Sequence, residues 1–128
     1  MNSKKILLID DEVDFLKLMG ERIRLWGHTV LLAASGREGL DLIRAKEADI
    51  VILDYMMPDM DGIGVLKAIR KINKMIPVIM FTAHPDTESI TKAEKLKVSS
   101  YVPKLSAFSD SHEALKSAID MIARKLNR

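Results

Sequence analysis

An Asp10-Asp11-Glu12 triplet, an isolated Asp54, a Thr82 and a Lys104 stand out because each closes a short apolar run. The triplet follows Ile6-Leu7-Leu8-Ile9, and Asp54 follows Ile50-Val51-Ile52-Leu53. Thr82-Ala83 ends the run Val78 to Phe81, and Pro103-Lys104 ends Tyr101-Val102. Crowded carboxylates are costly unless a cation or a proton neutralises them. Oxygen donors with no His or Cys beside them suit a hard ion, Mg2+ or Mn2+, rather than zinc. Two or three carboxylates leave places in an octahedron for waters and a ligand oxygen. An aspartate beside such an ion stays deprotonated and positioned, which suits a nucleophile towards phosphorus. The ion would stabilise charge on the equatorial oxygens, Thr82 can donate to one of them, and Lys104 can pair with another. Taken singly, each residue has a plainer role: acids opening a helix, a strand-ending threonine, a solvated lysine. One group per strand end favours the joint role.

Five elements of one kind must position these groups. The four runs above and a fifth, Thr29 to Ala33, alternate with five segments of helical spacing. Phe15, Met19, Ile23 and Trp26 share one face and stop at Gly27. Ser35-Gly36-Arg37-Glu38 has the capping-box pattern and opens a helix through Leu40 and Ile43. Ile63, Leu66, Ile69 and Ile72 line a third helix, Ile90, Ala93 and Leu96 a weaker fourth, and Leu115, Ile119, Ile122 and Leu126 a fifth. Continuously apolar strands alternating with helices predict an α/β fold, a doubly wound five-stranded parallel sheet covered on both faces. Ligands then bind at the carboxyl ends of the strands, where the acidic groups lie.

Composition narrows the remaining classes. The 128 residues have the length of one domain, and 48% hydrophobic with 30% charged residues excludes a disordered or fibrous chain. With no cysteine, there is no disulfide framework, thiol nucleophile or cysteine metal site, and a reducing, cytoplasmic compartment is expected. No apolar run reaches the ~20 residues of a membrane span, and the four apolar residues after Lys5 fall short of a signal-peptide core of about 7–15. A net charge of +2, no basic stripe and no helix beyond the five argue against nucleic-acid binding by this domain. No linker, repeat or composition break divides the chain. The short leader suggests a true N-terminus, and Arg124-Lys125-Leu126-Asn127-Arg128 suits either the end of a stand-alone domain or the start of a linker to an output domain.

Taken together, Ile6 to Glu12 (ILLIDDE), Val51 to Gly62 (VILDYMMPDMDG), Val78 to Ala83 (VIMFTA) and Tyr101 to Lys104 (YVPK) resemble the receiver domain of two-component response regulators, the chemotaxis regulator included. Asp11, Asp54, Thr82 and Lys104 follow one another at separations of 43, 28 and 22 residues, and the resemblance covers nearly all of positions 1–128. It implies a flavodoxin-like, three-layer α/β/α fold with strand order 2-1-3-4-5. Asp54 would accept a phosphoryl group from the phosphohistidine of a sensor histidine kinase or phosphotransfer protein. Asp10, Asp11, Asp54 and the backbone carbonyl of Met56 would hold Mg2+, with Mn2+ as an alternative. Thr82 would bind the phosphoryl group, Lys104 would ion-pair with it, and Tyr101 would be the switch aromatic. Thr82 and Lys104 are expected to gain a partner only in the phosphorylated state. The readout surface would be the fourth helix, fifth strand and fifth helix, with no separate substrate turnover.

The sequence departs from the family in three places. Leu105 replaces the usual Pro after the lysine, so the Lys104–Leu105 bond is expected trans. The two positions that tune dephosphorylation are Met56 and His84, and an apolar Met56 cannot orient an attacking water, which predicts a long-lived phosphoryl group. Val98-Ser99-Ser100 replaces the common Gly-Ala and is expected neutral. His28 is expected exposed, His112 lies near the start of the fifth helix without zinc spacing, and Met56, Met57 and Met60 are expected to pack the loop. Two rivals fare worse. An aspartate phosphohydrolase wants a second acid where Met56 stands and its nucleophile on the first strand. A flavin binder wants a phosphate cradle where Asp10-Asp11-Glu12 would repel one.

Overall fold

A computed structural model describes residues 3–54, 57, 60–83, 86–104 and 108–127, with backbone alone at 108–111. In chain order the elements are β1 (Lys5–Ile9), α1 (Val13–Leu25), β2 (Thr29–Ala33), α2 (Gly36–Arg44), β3 (Ile50–Leu53), α3 (Gly62–Ile72), β4 (Val78–Thr82), α4 (Thr87–Lys95), β5 (Ser100–Pro103) and α5 (Phe108–Leu126). The strands form one parallel sheet in the order β2-β1-β3-β4-β5. This is the doubly wound topology expected from the sequence.

Burial explains the uninterrupted apolar runs: every residue of β3 and β4 is buried, so both faces of these strands need apolar side chains. Alternation then sorts them into two cores. Leu7, Ile9, Val51, Leu53, Val78 and Met80 pack with Leu40 and Ile43 of α2, Leu66 and Ile69 of α3, and Ala93 of α4. Ile6, Leu8, Ile50, Ile52, Ile79 and Phe81 pack with Leu16, Met19 and Ile23 of α1 and Leu115 and Ile119 of α5.

Local chemistry closes the helices. Ser35 Oγ accepts from Glu38 N at 3.2 Å, and Glu38 reaches back to the amide of Ala34 at 2.9 Å, a capping box displaced by one residue. Asp61 and Asp86 cap α3 and α4 through the amides of Gly64 and Ser89. Gly27 turns the chain out of α1 with φ 98°. At Gly39 a Cβ would overlap the side chain of Ile9, so its absence lets α2 lie close on β1. Arg70 of α3 donates to the carbonyls of Leu96 at 2.8 Å, Lys97 at 3.0 Å, Ile76 at 2.8 Å and Asn73 at 3.3 Å. One guanidinium thereby ties the turns that follow α3 and α4 together.

One sequence expectation is corrected here. His28 is buried, not exposed: pairing of β1 with β2 brings Lys4 alongside, and His28 Nδ1 accepts from its backbone amide at 3.1 Å. His112 is also buried, its ring edge-on to Trp26 with centroids 6.3 Å apart.

Candidate functional site

Register delivers the chemistry to one edge. Ile9 pairs with Leu53, Leu53 with Met80, and Thr82 with Pro103, so the residues just past each strand come level. The ladder continues beyond the strands: Asp10 N donates to Ala33 O at 3.1 Å, Asp54 N to Ile9 O at 3.0 Å, and Lys104 N to Thr82 O at 2.6 Å. Backbone pairing therefore fixes Asp10, Asp54 and Lys104 before their side chains interact.

Carboxylate oxygens of Asp10, Asp11 and Asp54 lie within 4.8 Å of one another. Asp10 and Asp54 are only 1% and 5% exposed, so their charges have lost most of their water. Asp10 Oδ1 accepts from the amide of Glu12 at 3.0 Å. Its Oδ2 accepts from Lys104 Nζ at 2.7 Å, and the same ammonium stands 3.7 Å from Asp54 Oδ1. Lys104 also lies over the ring of Phe15, 4.1 Å from its centroid, and 5.7 Å from that of Phe81.

The expectation that Thr82 and Lys104 gain a partner only in the phosphorylated state is therefore wrong: Lys104 holds Asp10, and Thr82 is not without a partner either. Three clustered carboxylates need a counter-charge in any state, and the lysine supplies it now. Thr82 is fully buried at the end of β4. Tyr101 is half-buried on β5, and its hydroxyl lies 2.9 Å from Ser89 Oγ on α4. Ser89 is itself buried and donates its hydroxyl to Asp86 O at 3.0 Å. Met56, His84 and Leu105, with the peptide bond into Leu105, lie outside the described residues; Met57 is buried and Met60 partly exposed. Phe15 and Ser89 are the site residues that sequence reasoning missed. Helical spacing places Phe15 on a core face and the Asp86 cap places Ser89 in a first turn, but neither signal names the polar group it meets.

The profile of the response regulator receiver domain matches residues 6–116. The chain belongs to that family. Receivers of this family are phosphorylated on an aspartate. The chain is 35% identical over 114 residues to the transcriptional regulatory protein ZraR of Escherichia coli (strain K12), covering 89% of this chain and 26% of that protein. It is likewise 35% identical over 125 residues to the probable transcriptional regulator ycf27 of Guillardia theta, covering 98% of this chain and 47% of the relative. It thus spans between a quarter and a half of these curated relatives. Among solved structures, a response regulator receiver domain protein from Clostridium thermocellum superposes with a TM-score of 0.86 at 31% identity, over 97% of both chains. A two-component response regulator from Clostridium difficile gives 0.86 at 25% identity, over 98% and 99%. The receiver is a signalling domain with the flavodoxin-like fold, and among its described residues no helix is long and apolar enough to cross a membrane.

Proposed function

We propose that Asp54 is the phosphoryl acceptor of this receiver, which takes the group from the phosphohistidine of a sensor histidine kinase or phosphotransfer protein. The observation that carries this is the gathering of Asp10, Asp11 and Asp54 within 4.8 Å under the ammonium of Lys104. Of the three, Asp54 follows the fully buried β3 directly, and a rigid strand leaves its carboxylate few orientations.

An Asp54 oxygen attacks phosphorus as the phosphorus–nitrogen bond breaks, and the imidazole leaves with the bonding electron pair. The oxygen-only donor set fits a hard divalent ion, so Asp10, Asp11, Asp54 and the carbonyl of Met56 would hold Mg2+, with Mn2+ an alternative. When bound, that ion supplies charge stabilisation for the equatorial oxygens. The phosphoryl group carries about −1.5 to −2 charge and three acceptor oxygens. Lys104 turns to it from Asp10, and the Thr82 hydroxyl donates to another oxygen. Tyr101, on the strand beside Thr82, follows that movement. The phosphorylated state thus biases the α4-β5-α5 surface towards a second arrangement, which a downstream target or output domain reads. Asp54 is consumed by transfer and restored by hydrolysis, so the domain, a single unit over 1–128 in the cytoplasm, turns over no separate substrate.

Intact-mass measurement after treatment with phosphoramidate and Mg2+ tests this. The parent is expected to gain one phosphoryl mass, labile at alkaline pH, and Asp54→Asn none. Undiminished labelling of Asp54→Asn would reject Asp54 as the acceptor.

A further inference from the structure

We infer that Phe15 is a positioning residue for Lys104, its ring face being the seat that keeps the ammonium at the acidic cluster when Asp10 is engaged elsewhere. The inference rests on the proposed function, in which Lys104 must leave Asp10 and still reach the phosphoryl oxygens. Its geometry is independent of that function.

Lys104 Nζ is 4.1 Å from the Phe15 centroid, well inside the roughly 6 Å over which a ring face attracts a cation. Phe81 adds a second, more distant ring at 5.7 Å, and the two rings are 5.9 Å apart and tilted by 39°. Phe81 is fully buried on β4, which fixes that wall, while Phe15 belongs to the first turn of α1, directly after the acidic triplet. The element that begins at the carboxylates therefore also carries the seat.

A lysine released from a carboxylate is drawn to water, where its ammonium is best solvated. The lysine side chain is 13% exposed, so that path is open. Attraction to the ring face opposes it and is indifferent to which oxygen the ammonium meets on its other side. An aliphatic residue would fill the same space but has no quadrupole. A larger ring would keep it.

The full chain is compared with Phe15→Leu and Phe15→Met, both apolar and ring-free, and with Phe15→Trp. Three quantities are read: the rate of Asp54 phosphorylation by phosphoramidate at saturating Mg2+, the Mg2+ affinity by calorimetry, and the proton shift of the Lys104 ε-methylene. The ring-free variants are expected to slow phosphorylation on the order of three- to tenfold, with Mg2+ affinity not weakened and the upfield ring-current shift lost. Phe15→Trp is expected to restore both rate and shift. Parent-like rates in the ring-free variants, or a Phe15→Trp as slow as they are, would overturn the inference. If the parent takes no phosphoryl group, the proposed function fails, yet the methylene shift and its loss still decide the seat.

Discussion

Lys104 Nζ meets Asp10 Oδ2 at 2.7 Å, a contact between residues 94 positions apart with the lysine side chain 13% and the aspartate 1% exposed. Removing a carboxylate from water costs several kcal/mol unless a charge repays it. With Asp54 and Asp11 close by, that cost rises, and the ammonium is the counter-charge. An incoming dication must therefore compete with Lys104 for Asp10. The same lysine that would bind the phosphoryl group would be, before transfer, a rival of the metal.

Replacing Lys104 with Met removes this rival. Lys104→Met is expected to bind Mg2+ about tenfold more tightly, equivalent to about 1.4 kcal/mol of relieved competition, while phosphorylating more slowly. In chelator its melting temperature should fall, because the carboxylates lose their counter-charge, and Mg2+ should raise it more than it raises the parent's. Calorimetric titration and thermal unfolding read both effects. Weaker Mg2+ binding by the variant would contradict the competition.

Tyr101 and Ser89 join β5 to the first turn of α4 through one hydroxyl pair at 2.9 Å. A buried neutral hydrogen bond contributes roughly 0.5–1.5 kcal/mol, and leaving one partner unsatisfied costs more. Ser89→Ala and Tyr101→Phe should each destabilise by about 1 kcal/mol, and the double variant by less than the sum. Urea unfolding of the four proteins gives the coupling. Strict additivity would mean that the hydroxyls do not act on each other.

Strand identity and the acidic edge were legible because both follow from burial: a strand covered on two faces must be apolar, so the first polar residue after it marks the rim. Asp10 and Asp54 are found in this way, Thr82 is the polar residue that closes the buried β4, and Lys104 follows the half-buried β5 and is read from its place beside the other three strand ends. What stayed hidden depends on contacts between distant segments. The turns after α2 and α4 pass through Lys46 and Lys97 at φ 58° and 60°, where a glycine would have signalled the stop. The Arg70 clamp reaches carbonyls 26 and 27 residues further on. His28 is buried because Lys4 pairs alongside it, and Lys104 is partnered because the sheet brings it to Asp10, 94 positions away, a proximity that sequence order does not carry.

The side chain two positions after the proposed acceptor sets a further expectation. Hydrolysis of an aspartyl phosphate needs a water aligned on phosphorus, and the thioether of Met56 is at best a weak acceptor. An amide there can hold such a water. Met56→Asn is expected to shorten the phosphoryl lifetime severalfold, followed by loss of the phosphorylated species after removal of the phosphodonor. An equal or longer lifetime in Met56→Asn would reject a role for this position.

Acid should loosen the domain through its two described buried histidines. Burial pushes the pKa of His28 down from its ordinary 6.5, Lys116 and Lys4 lower it further, and Asp120 opposes them. Burial also lowers that of His112, with Arg22 acting in the same direction. His28 Nδ1 must keep its lone pair to accept from the Lys4 amide. Above 6.5 both residues are neutral whether folded or unfolded, and their full contribution is present. As pH falls below 6.5 the unfolded chain binds protons that the native state refuses, so stability declines until the native values are passed. Urea midpoints measured between about pH 7.5 and about pH 5.5 should fall in the parent and fall less in His28→Asn, whose side-chain oxygen can accept from Lys4 without titrating. An unchanged slope in that variant would show that His28 takes no part in the acid sensitivity.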